Sequence, residues 1–402
     1  MKIEDMKRIG LLIDTMNSGG AQRVVSHLSK ILSDDFEVYV ILFEDKYQEF
    51  ECSGKYCYLQ VAAQNGGLFV KLNLLRKRIA KLYSLIKAEN LDCVISFLDS
   101  PNFVNLLTPA LQCRKIISIR NYSSLENRQS LLGRVTNVAM KFLYRRADCV
   151  VPVTDLIGQD FALHYGIAPE KLTTIYNPYN FSDILEKAGS ALKEEEAPFF
   201  RNTFSFLNVG RIMYQKGIWH LVKAFSLVHQ QAADTRLVLV GEDLTDGKLV
   251  SLIRQLNLEK AVLLTGRTRN PYQYMHAADC YVLTSMFEGF PNALVEAMVC
   301  GCCILAADCK SGPREILYEQ PDLNVVVPNI TEADYGILFP PLETEENWDA
   351  DVITDGERML AQAMLEQYHD PEKTHQLGAL AKKRSEDFGF DRCRELFKKV
   401  IA

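Results

Sequence analysis

The sequence predicts an α/β protein with two domains, each built on a parallel β-sheet flanked by helices. First, 402 residues are enough for two or three domains of roughly 100–200 residues each. Second, apolar runs of strand length alternate with helical patterns in both halves, as in βαβ units. Third, a polar stretch at 177–203 separates the two series and is typical of an interdomain linker. We therefore expect an N-terminal domain at 1–180, a C-terminal domain at 181–383, and a terminal helix at 384–402 that packs back on the N-terminal domain.

The first half contains five predicted strands, and each is a short run of mainly apolar residues. Helical patterns at 21–32 and 68–88 lie between them, and a further helix ends near Arg146. The five strands are predicted at 8–13, 36–43, 93–97, 115–119 and 150–154.

The second half repeats this alternation of strands and helices. Its strands are predicted at 204–209, 237–240, 261–264, 280–283 and 303–306. Open α/β sheets bind ligands outside the carboxyl ends of their strands. Two such sheets facing each other would form a cleft between the domains, which is a common position for a ligand site.

The composition indicates a cytoplasmic protein. No run reaches the roughly 18 apolar residues of a membrane span, and the first residues lack the apolar core of a signal peptide. The 11 cysteines are scattered without zinc-ligand spacing, and an odd number cannot form a complete disulfide framework. We expect buried, reduced thiols.

The charge is distributed unevenly between the two halves. Residues 1–180 carry 22 basic and 18 acidic side chains, a net charge of +4, and the remaining residues carry 23 and 33, a net charge of −10. A basic half is typical of a protein that works near an anionic surface or substrate.

The first motif is the glycine pair Gly19-Gly20, which follows the first strand and opens a helix. Glycines allow the backbone to approach a ligand, and a helix N-terminus offers N–H groups to an anion. The pattern is not G-x-G-x-x-G, so it gives no support for a dinucleotide cofactor. A plain tight turn is the alternative.

The second motif runs from Gly210-Arg211 to Lys216-Gly217, at the end of the first strand of the second half. Two cations on a turn at the carboxyl edge of a sheet suit a diphosphate, since Arg binds it in a fork and Lys acts as a point charge. A solvated basic turn is equally compatible with these residues alone.

The third motif begins at Glu288 and ends at Glu296. The intervening residues Gly289, Phe290 and Pro291 break regular structure, and Asn292, Ala293 and Leu294 begin a helix. The helix N-terminus would face an anion, and the two carboxylates are natural acceptors for sugar hydroxyls. The alternative is that Glu288 caps the helix and Glu296 lies on a solvated face.

Together these motifs resemble the signature of the retaining glycosyltransferases of family 4, which have the GT-B fold of two Rossmann-like domains facing across a cleft. The resemblance implies that Arg211 and Lys216 bind the donor diphosphate. It implies that Glu288 orients the donor sugar and that Glu296 holds the ribose hydroxyls. Of these residues, Glu288, Arg211 and Lys216 would be catalytic.

The resemblance also implies further donor contacts. Gly19, Gly20 and Gly210 would approach the phosphates, and Gly266-Arg267 would seat the base. The donor would also contact the segment from Gly289 and Phe290 through Pro291 to Asn292, Ala293 and Leu294, where the available backbone N–H groups would meet sugar and phosphate. No metal is expected, because Arg211, Lys216 and the helix dipole can neutralise the departing diphosphate. Asp349-Ala350-Asp351 is a D-x-D pattern, but its acidic surroundings indicate solvated surface.

The first domain departs from the common family pattern. Many members carry a cleft histidine where this chain has Arg120-Asn121. Arg120 and Asn121 would replace the histidine by binding the sugar or a phosphate oxygen and would thus join the catalytic residues. A structural ion pair is the alternative for Arg120. Asp99 and Asn102, at another strand end, are predicted to touch the acceptor, although a loop-capping aspartate fits equally well.

The predicted helix 68–88 is basic and amphipathic. Arg76, Lys77, Arg78 and Lys81 belong to a run of cations without an acid, and leucine and isoleucine recur at helical spacing. Such a helix can lie on an anionic membrane or grip a lipid diphosphate, or simply pack on the sheet. Nucleic acid is not predicted, since no binding motif accompanies the charge.

The resemblance predicts transfer of a hexosyl or N-acetylhexosaminyl unit from a nucleotide-sugar, a UDP-sugar, to a glycan acceptor. The acceptor would be linked to polyprenyl diphosphate, in bacterial surface polysaccharide synthesis at the inner face of the cell membrane. The loops 311–316 and 335–338 are similar to those of the capsule and lipopolysaccharide branches. A sugar-nucleotide epimerase of similar fold and a non-catalytic binding subunit are the alternatives.

Overall fold

The computed structural model describes residues 6–17, 19–45, 48–63, 66–109, 112–122, 124 and 131–402. The chain divides into two compact units. The first unit comprises Met1–Tyr179 together with Phe388–Ala402, and the second comprises Asn180–Asp387.

The first unit is built on a six-stranded parallel sheet with the strand order β3-β2-β1-β4-β5-β6. Its strands are β1 (Arg8–Ile13), β2 (Glu37–Leu42), β3 (Lys55–Tyr58), β4 (Cys93–Phe97), β5 (Arg114–Ile119) and β6 (Cys149–Pro152). Its helices before the second unit are α1 (Gly20–Leu32), α2 (Leu68–Glu89), α3 (Asp99–Leu107), α4 (Leu131–Leu143) and α5 (Asp155–Tyr165).

Helices cover this sheet on both faces, which explains why its central strands are mainly apolar. Every residue of β4 is buried, as expected for a parallel strand that has no solvent-facing side. Val25 and Leu28 of α1 belong to one core cluster, and Leu82 and Ile86 of α2 belong to another.

The terminal helix α14 (Phe390–Ile401) packs on the first unit. Its Phe397 joins the core cluster around β1, and the Arg394 guanidinium lies 2.6 Å from the Asp35 carboxylate. The helix is shorter than the predicted 384–402, because Arg384 and Ser385 end the preceding helix and Glu386–Phe388 form a 3₁₀ turn.

The second unit is built on a seven-stranded sheet with the order β12-β13-β11-β10-β7-β8-β9, in which only β12 pairs in the antiparallel direction. Its strands are β7 (Phe204–Val209), β8 (Thr235–Val240), β9 (Val262–Gly266), β10 (Cys280–Leu283), β11 (Cys303–Ala307), β12 (Thr331–Ala333) and β13 (Gly336–Phe339). Its helices are α6 (Phe181–Ala188), α7 (Ile218–Gln231), α8 (Lys248–Gln255), α9 (Tyr272–Ala277), α10 (Asn292–Cys300), α11 (Pro313–Leu317), α12 (Asp355–His369) and α13 (Pro371–Ser385).

All ten predicted strands are present, and the three that the sequence pattern missed are short: β3, β12 and β13. The predicted linker 177–203 includes the boundary between the two units, after Tyr179, and its later residues form α6 and the 3₁₀ turn Ala197–Phe199. Within it, Glu196 is buried and accepts a hydrogen bond of 2.8 Å from the Tyr274 hydroxyl. That contact attaches the polar stretch to the second unit.

Candidate active site

The carboxyl edge of the second sheet brings two sequence motifs together. Lys216 lies in a 3₁₀ turn after β7, and Glu288 lies in the loop after β10. The turn closes at Gly217, whose φ is +59°, and a Cβ atom there would lie 2.4 Å from the Thr284 carbonyl oxygen. Glycine is therefore required both for the left-handed backbone and for the close approach to the strand that leads to Glu288.

The Glu288 carboxylate is the centre of this site. Its Oε1 lies 2.6 Å from Lys216 Nζ and accepts a second hydrogen bond of 2.6 Å from Ser285 Oγ. The Glu288 side chain is only 8% exposed and that of Lys216 19%. A charge-assisted pair with so little solvent access holds both groups in a fixed orientation. We call Lys216, Ser285, Glu288 and the N-terminus of α10 the Glu288 site.

Backbone hydrogen bonds hold the loop that carries Glu288. The Glu288 N–H donates to the Lys310 carbonyl at 2.7 Å, and the Ser311 N–H donates to the Glu288 carbonyl at 2.9 Å. Ser311 Oγ donates to the Gly289 carbonyl at 2.8 Å, and Gln215 Nε2 donates to the Phe287 carbonyl at 2.9 Å. The loop is therefore clamped between two neighbouring segments rather than projecting freely.

Helix α10 begins at Asn292, next to this loop. In α10, all of whose residues the structure describes, the first turn contains no acidic residue and no side chain caps the N-terminus. The positive end of the helix dipole is thus available to an anion. The predicted donor contact of Leu294 is corrected by the structure, because its N–H donates to the Pro291 carbonyl and its side chain is buried.

Glu296 lies one turn inside α10 and is 3% exposed, so it is not on a solvated face. Burial raises the pKa of Tyr281 well above its ordinary value, and the negative charges of Glu288 and Glu296 raise it further. Both carboxylates are therefore within electrostatic reach of one buried group on β10.

Arg211 is exposed and forms no ion pair within the part of the chain that the structure describes. The neighbouring Gly210 is close to the Glu288 site, because a Cβ atom there would lie 3.2 Å from Lys216 Cε. Gly266 ends β9 with a φ of +69°, and both it and Arg267 are exposed. The structure thus places the basic turn beside Glu288 and places Gly266-Arg267 at another strand end of the same sheet.

In the first unit, Gly19 and Gly20 are exposed at the start of α1, directly after β1. Arg120 follows β5, with its guanidinium carbon 5.7 Å from the centroid of the Phe97 ring. Its Nη2 is buried and has no hydrogen-bond partner among the described residues. Burial lowers the pKa of Arg120 to about 10. A buried cation nitrogen without a partner is rare, and it is consistent with a ligand-binding group.

Asn121 is exposed beside Arg120. Asp99, two residues after β4, is exposed as a whole residue, but protein surrounds its carboxylate, which accepts a hydrogen bond of 3.0 Å from the Tyr144 hydroxyl. This burial of the carboxylate raises the pKa of Asp99, and it outweighs the opposite effect of the hydrogen bond. The predicted acceptor contact of Asn102 is corrected by the structure. Asn102 is buried and hydrogen-bonds to Ser96 and to the backbone of β5, so it has no surface left for an acceptor.

Helix α2 exposes Arg76, Lys77 and Lys81, as the sequence predicts. Arg78 differs from them. Its guanidinium lies 4.0 Å from the centroid of the Phe43 ring and donates to the Val61 carbonyl. Arg78 therefore fastens α2 to the body of the unit, which corrects its predicted role at a membrane.

The comparison with known proteins decides the family. Residues 18–183 match Glycosyltransferase Family 4, and residues 191–336 match Glycosyl transferases group 1. A Campylobacter jejuni protein, N-acetylgalactosamine-N,N'-diacetylbacillosaminyl-diphospho-undecaprenol 4-alpha-N-acetylgalactosaminyltransferase, is 32% identical over 77% of this chain and 83% of its own. The chain belongs to glycosyltransferase family 4. The family predicted from the Arg-Lys turn and the two glutamates is therefore confirmed.

Another relative and several solved structures are similar to this glycosyltransferase over most of its length. A glycosyltransferase of Methanocaldococcus jannaschii is 27% identical over 81% of this chain and 82% of its own. Among solved structures, HepE of Anabaena in complex with UDP has a TM-score of 0.74 at 20% identity, covering 98% of this chain and 99% of its own. TarM has a TM-score of 0.74 at 13% identity, with 100% of both chains covered. These likenesses confirm the predicted GT-B fold class.

Sequence reasoning missed the residues that hold Glu288 in the glycosyltransferase. Ser285 bonds to its carboxylate, and Ser311 and Gln215 bond to the backbone of its loop. Ser285 stands three residues before Glu288, so its contact is local in sequence, whereas the contacts of Ser311 and Gln215 depend on more distant segments.

The D-x-D acids are exposed, as the sequence predicts, and the Asp351 N–H donates to the Asp349 carboxylate at 3.0 Å. Among the described residues, no group of three or more His, Cys, Asp or Glu side chains is arranged to hold a metal ion.

A membrane-spanning helix is likewise not found, because no helix within the described residues combines the necessary length with the necessary apolar character.

Proposed function

We propose that this glycosyltransferase retains anomeric configuration, needs no metal, and moves a hexosyl or N-acetylhexosaminyl unit from a UDP-sugar to a glycan linked to polyprenyl diphosphate. The observation that carries the proposal is the Lys216–Glu288 pair at 2.6 Å beside the N-terminus of α10. It places a cation, a carboxylate and a helix dipole at one sheet edge.

Arg211, Lys216 and the α10 N-terminus bind the donor diphosphate and stabilise its charge as it departs. Fixed cations and dipoles at the position where charge develops are the largest single source of catalysis in many enzymes. They take the part that a divalent cation plays in other phosphate sites. The UDP bound in Anabaena HepE, a structure with the same fold, supports this nucleotide as the donor's carrier.

Glu288 and Glu296 orient the two sugars of the donor. Glu288 Oε1 is occupied by Lys216 and Ser285, whereas Oε2 accepts no hydrogen bond from the described residues. Oε2 is thus the atom that receives a hydroxyl of the transferred sugar. Glu296, one helical turn further on, accepts from the ribose hydroxyls. Gly210, Gly266 and Arg267 complete the surface for phosphate and base.

The reaction proceeds on one face of the donor sugar. The bond from the anomeric carbon to the β-phosphate oxygen breaks while a bond to the acceptor hydroxyl oxygen forms. The hydroxyl proton passes to the departing phosphate oxygen, and Arg211 and Lys216 hold the resulting diphosphate. Arg120 and Asn121 contribute from the first unit by binding the sugar or a phosphate oxygen.

The predicted N-terminal domain, residues 1–180, binds the acceptor, and residues 181–383 bind the donor. The C. jejuni relative is named for a diphospho-undecaprenol acceptor, and other relatives for capsular polysaccharide and amylovoran biosynthesis. Such an acceptor places the enzyme at the inner face of the cell membrane. The exposed Arg76, Lys77 and Lys81 of α2 suit an anionic membrane surface or the lipid diphosphate.

The test is an assay of UDP-hexoses and UDP-N-acetylhexosamines with a polyprenyl-diphosphate-linked glycan, in EDTA, with mass detection of the product. We expect one added sugar, UDP release that depends on the acceptor, and an α-linkage by NMR from an α-linked donor. An isomerised donor without transfer would indicate an epimerase instead. No turnover with any donor that binds would indicate a non-catalytic subunit.

A further inference from the structure

Helix α4 presents an apolar face that the rest of the unit leaves uncovered. Val135, Val138 and Phe142 are 66%, 58% and 66% exposed. Their spacing of three and four residues places them on one side of the helix, and we call them the apolar stripe. Met140, on the other side, is fully buried. Helix α4 thus buries one apolar side within the unit and exposes a second apolar side, which a further apolar environment could cover.

The charge around the apolar stripe indicates what covers it. Arg134, Lys141, Arg145 and Arg146 are all exposed, and the segment 131–147 contains no acidic residue. Apolar side chains flanked only by cations are characteristic of a helix that lies in the interface of an anionic bilayer. A protein partner would have to supply an acidic rim around an apolar patch, whereas anionic phospholipids supply both features over any area.

The position of the apolar stripe connects it with the predicted acceptor edge. Helix α4 runs into a 3₁₀ turn at Tyr144, which is fully buried. The Tyr144 hydroxyl donates to the Asp99 carboxylate at 3.0 Å, and Asn102 lies 3.5 Å from the same hydroxyl. Helix α4 is thus fastened to the segment that follows β4.

We propose that Val135, Val138 and Phe142 insert into the acyl layer of an anionic membrane while Arg134 and Lys141 contact its headgroups. The inserted helix holds Asp99 and the end of β4 close to the bilayer surface, where the diphosphate of a lipid-linked acceptor lies. This second step rests on the proposed function, but the insertion itself does not.

The first experiment places a reporter on the stripe. Phe142→Trp adds a tryptophan to a chain whose two natural ones, Trp219 and Trp348, are both in the second unit. With phosphatidylglycerol vesicles we expect a blue-shifted emission and quenching by lipids brominated in the acyl chain. The matched control is Leu380→Trp, at a 45% exposed position of the second unit, which should show neither change.

The second experiment removes the stripe. The triple variant V135S/V138S/F142S should bind these vesicles about tenfold or more weakly, because apolar burial is lost. This deficit should persist at 0.5 M salt, where the contribution of the exposed cations of α2 is screened. Leu380→Ser should bind like the wild type. All variants are surface changes, so their melting temperatures verify folding.

Two results would overturn the proposal. One is unshifted, unquenched Phe142→Trp emission together with wild-type vesicle binding by the triple variant. The other is a dimer that the triple variant converts to a monomer, which would assign the stripe to a second copy of the chain. UDP release without vesicles reports separately on the proposed transferase activity, so its loss would not be confused with loss of insertion.

Discussion

The two units present their sheet edges in different ways. In the second unit, Lys216 and Glu288 are joined at 2.6 Å, and Ser285 bonds to the same carboxylate oxygen. In the first unit, Arg120 Nη2 is buried and has no hydrogen-bond partner among the described residues, and Asp99 belongs to a different strand end. The edge of the second sheet holds its charged groups in fixed positions, an arrangement that favours electrostatic catalysis, whereas we propose that a ligand completes the polar group at the edge of the first sheet. We call these edges, by their proposed roles, the donor side and the acceptor side.

The largest expected effect is a fall in turnover when a cation of the donor side is removed. Arg211→Ala and Lys216→Ala should each lower turnover by about a hundredfold, because a preorganised charge on the departing diphosphate is lost. UDP release measures the change. Lys248→Ala is the matched control, since Lys248 is an exposed lysine of the same unit paired with Glu346. If both site variants melt normally and keep near wild-type turnover, the diphosphate assignment is wrong.

A smaller but more diagnostic effect concerns the acceptor side. Arg120→Met preserves much of the side-chain volume and removes a cation whose Nη2 is buried without a hydrogen-bond partner among the described residues. We expect turnover to fall by about tenfold, as for loss of one charged hydrogen bond. The melting temperature should stay the same or rise, because burying an uncompensated charge is costly. A lower melting temperature with unchanged turnover would mean that Arg120 is a structural residue only.

The preorganisation of the donor side can be weakened without removing a charge. Ser285→Ala deletes one hydrogen bond of 2.6 Å to Glu288 and leaves the Lys216 pair in place. We expect about a fivefold fall in turnover, corresponding to about 1 kcal/mol for one hydrogen bond. Ser251→Ala, at an exposed position of α8, should have no effect. Equal turnover of the two variants would show that Lys216 alone orients Glu288.

The smallest effect is a pH dependence of stability in the first unit. The pKa of Asp99 is raised above 3.8 by crowding. Between 3.8 and that raised value the folded state binds more protons, so stability falls as pH rises through this window. Asp99→Asn should remove the dependence and melt about 1–2 °C higher at pH 7.5, with the difference vanishing near pH 4. Asp45→Asn, at an exposed position of the same unit, is the control, and parallel pH profiles of all three proteins would contradict the account.

The sequence predicted the two residues that come together in the second unit, Lys216 and Glu288, and the reason is physical. The Glu288 site is built from two short segments, and each has a recognisable local pattern. Lys216, Glu288 and the start of α10 at Asn292 could therefore be predicted. The wider fold was predictable because buried parallel strands are continuous apolar runs. The strands β3 and β12 were missed because neither is a buried apolar run: no residue of β3 is fully buried, and in β12 only Ala333 is.

The errors in the first unit arose where tertiary contacts decide a side chain's role. Arg78 has the same charge as Arg76 and Lys77, and only the position of the Phe43 ring and the Val61 carbonyl distinguishes it. Asn102 follows the expected strand end, but its amide is used inside the unit. Neither contact has a local sequence signal, because the partners come from other strands and loops.

The central claim is that the Glu288 site binds the donor diphosphate, and calorimetric titration with UDP in EDTA tests it most directly. Wild-type protein should bind one UDP, Lys216→Ala should bind at least about tenfold more weakly, and Glu288→Gln should bind UDP almost normally because Glu288 faces the sugar. Equal UDP affinity of the wild type and Lys216→Ala, with both proteins folded, would contradict the claim.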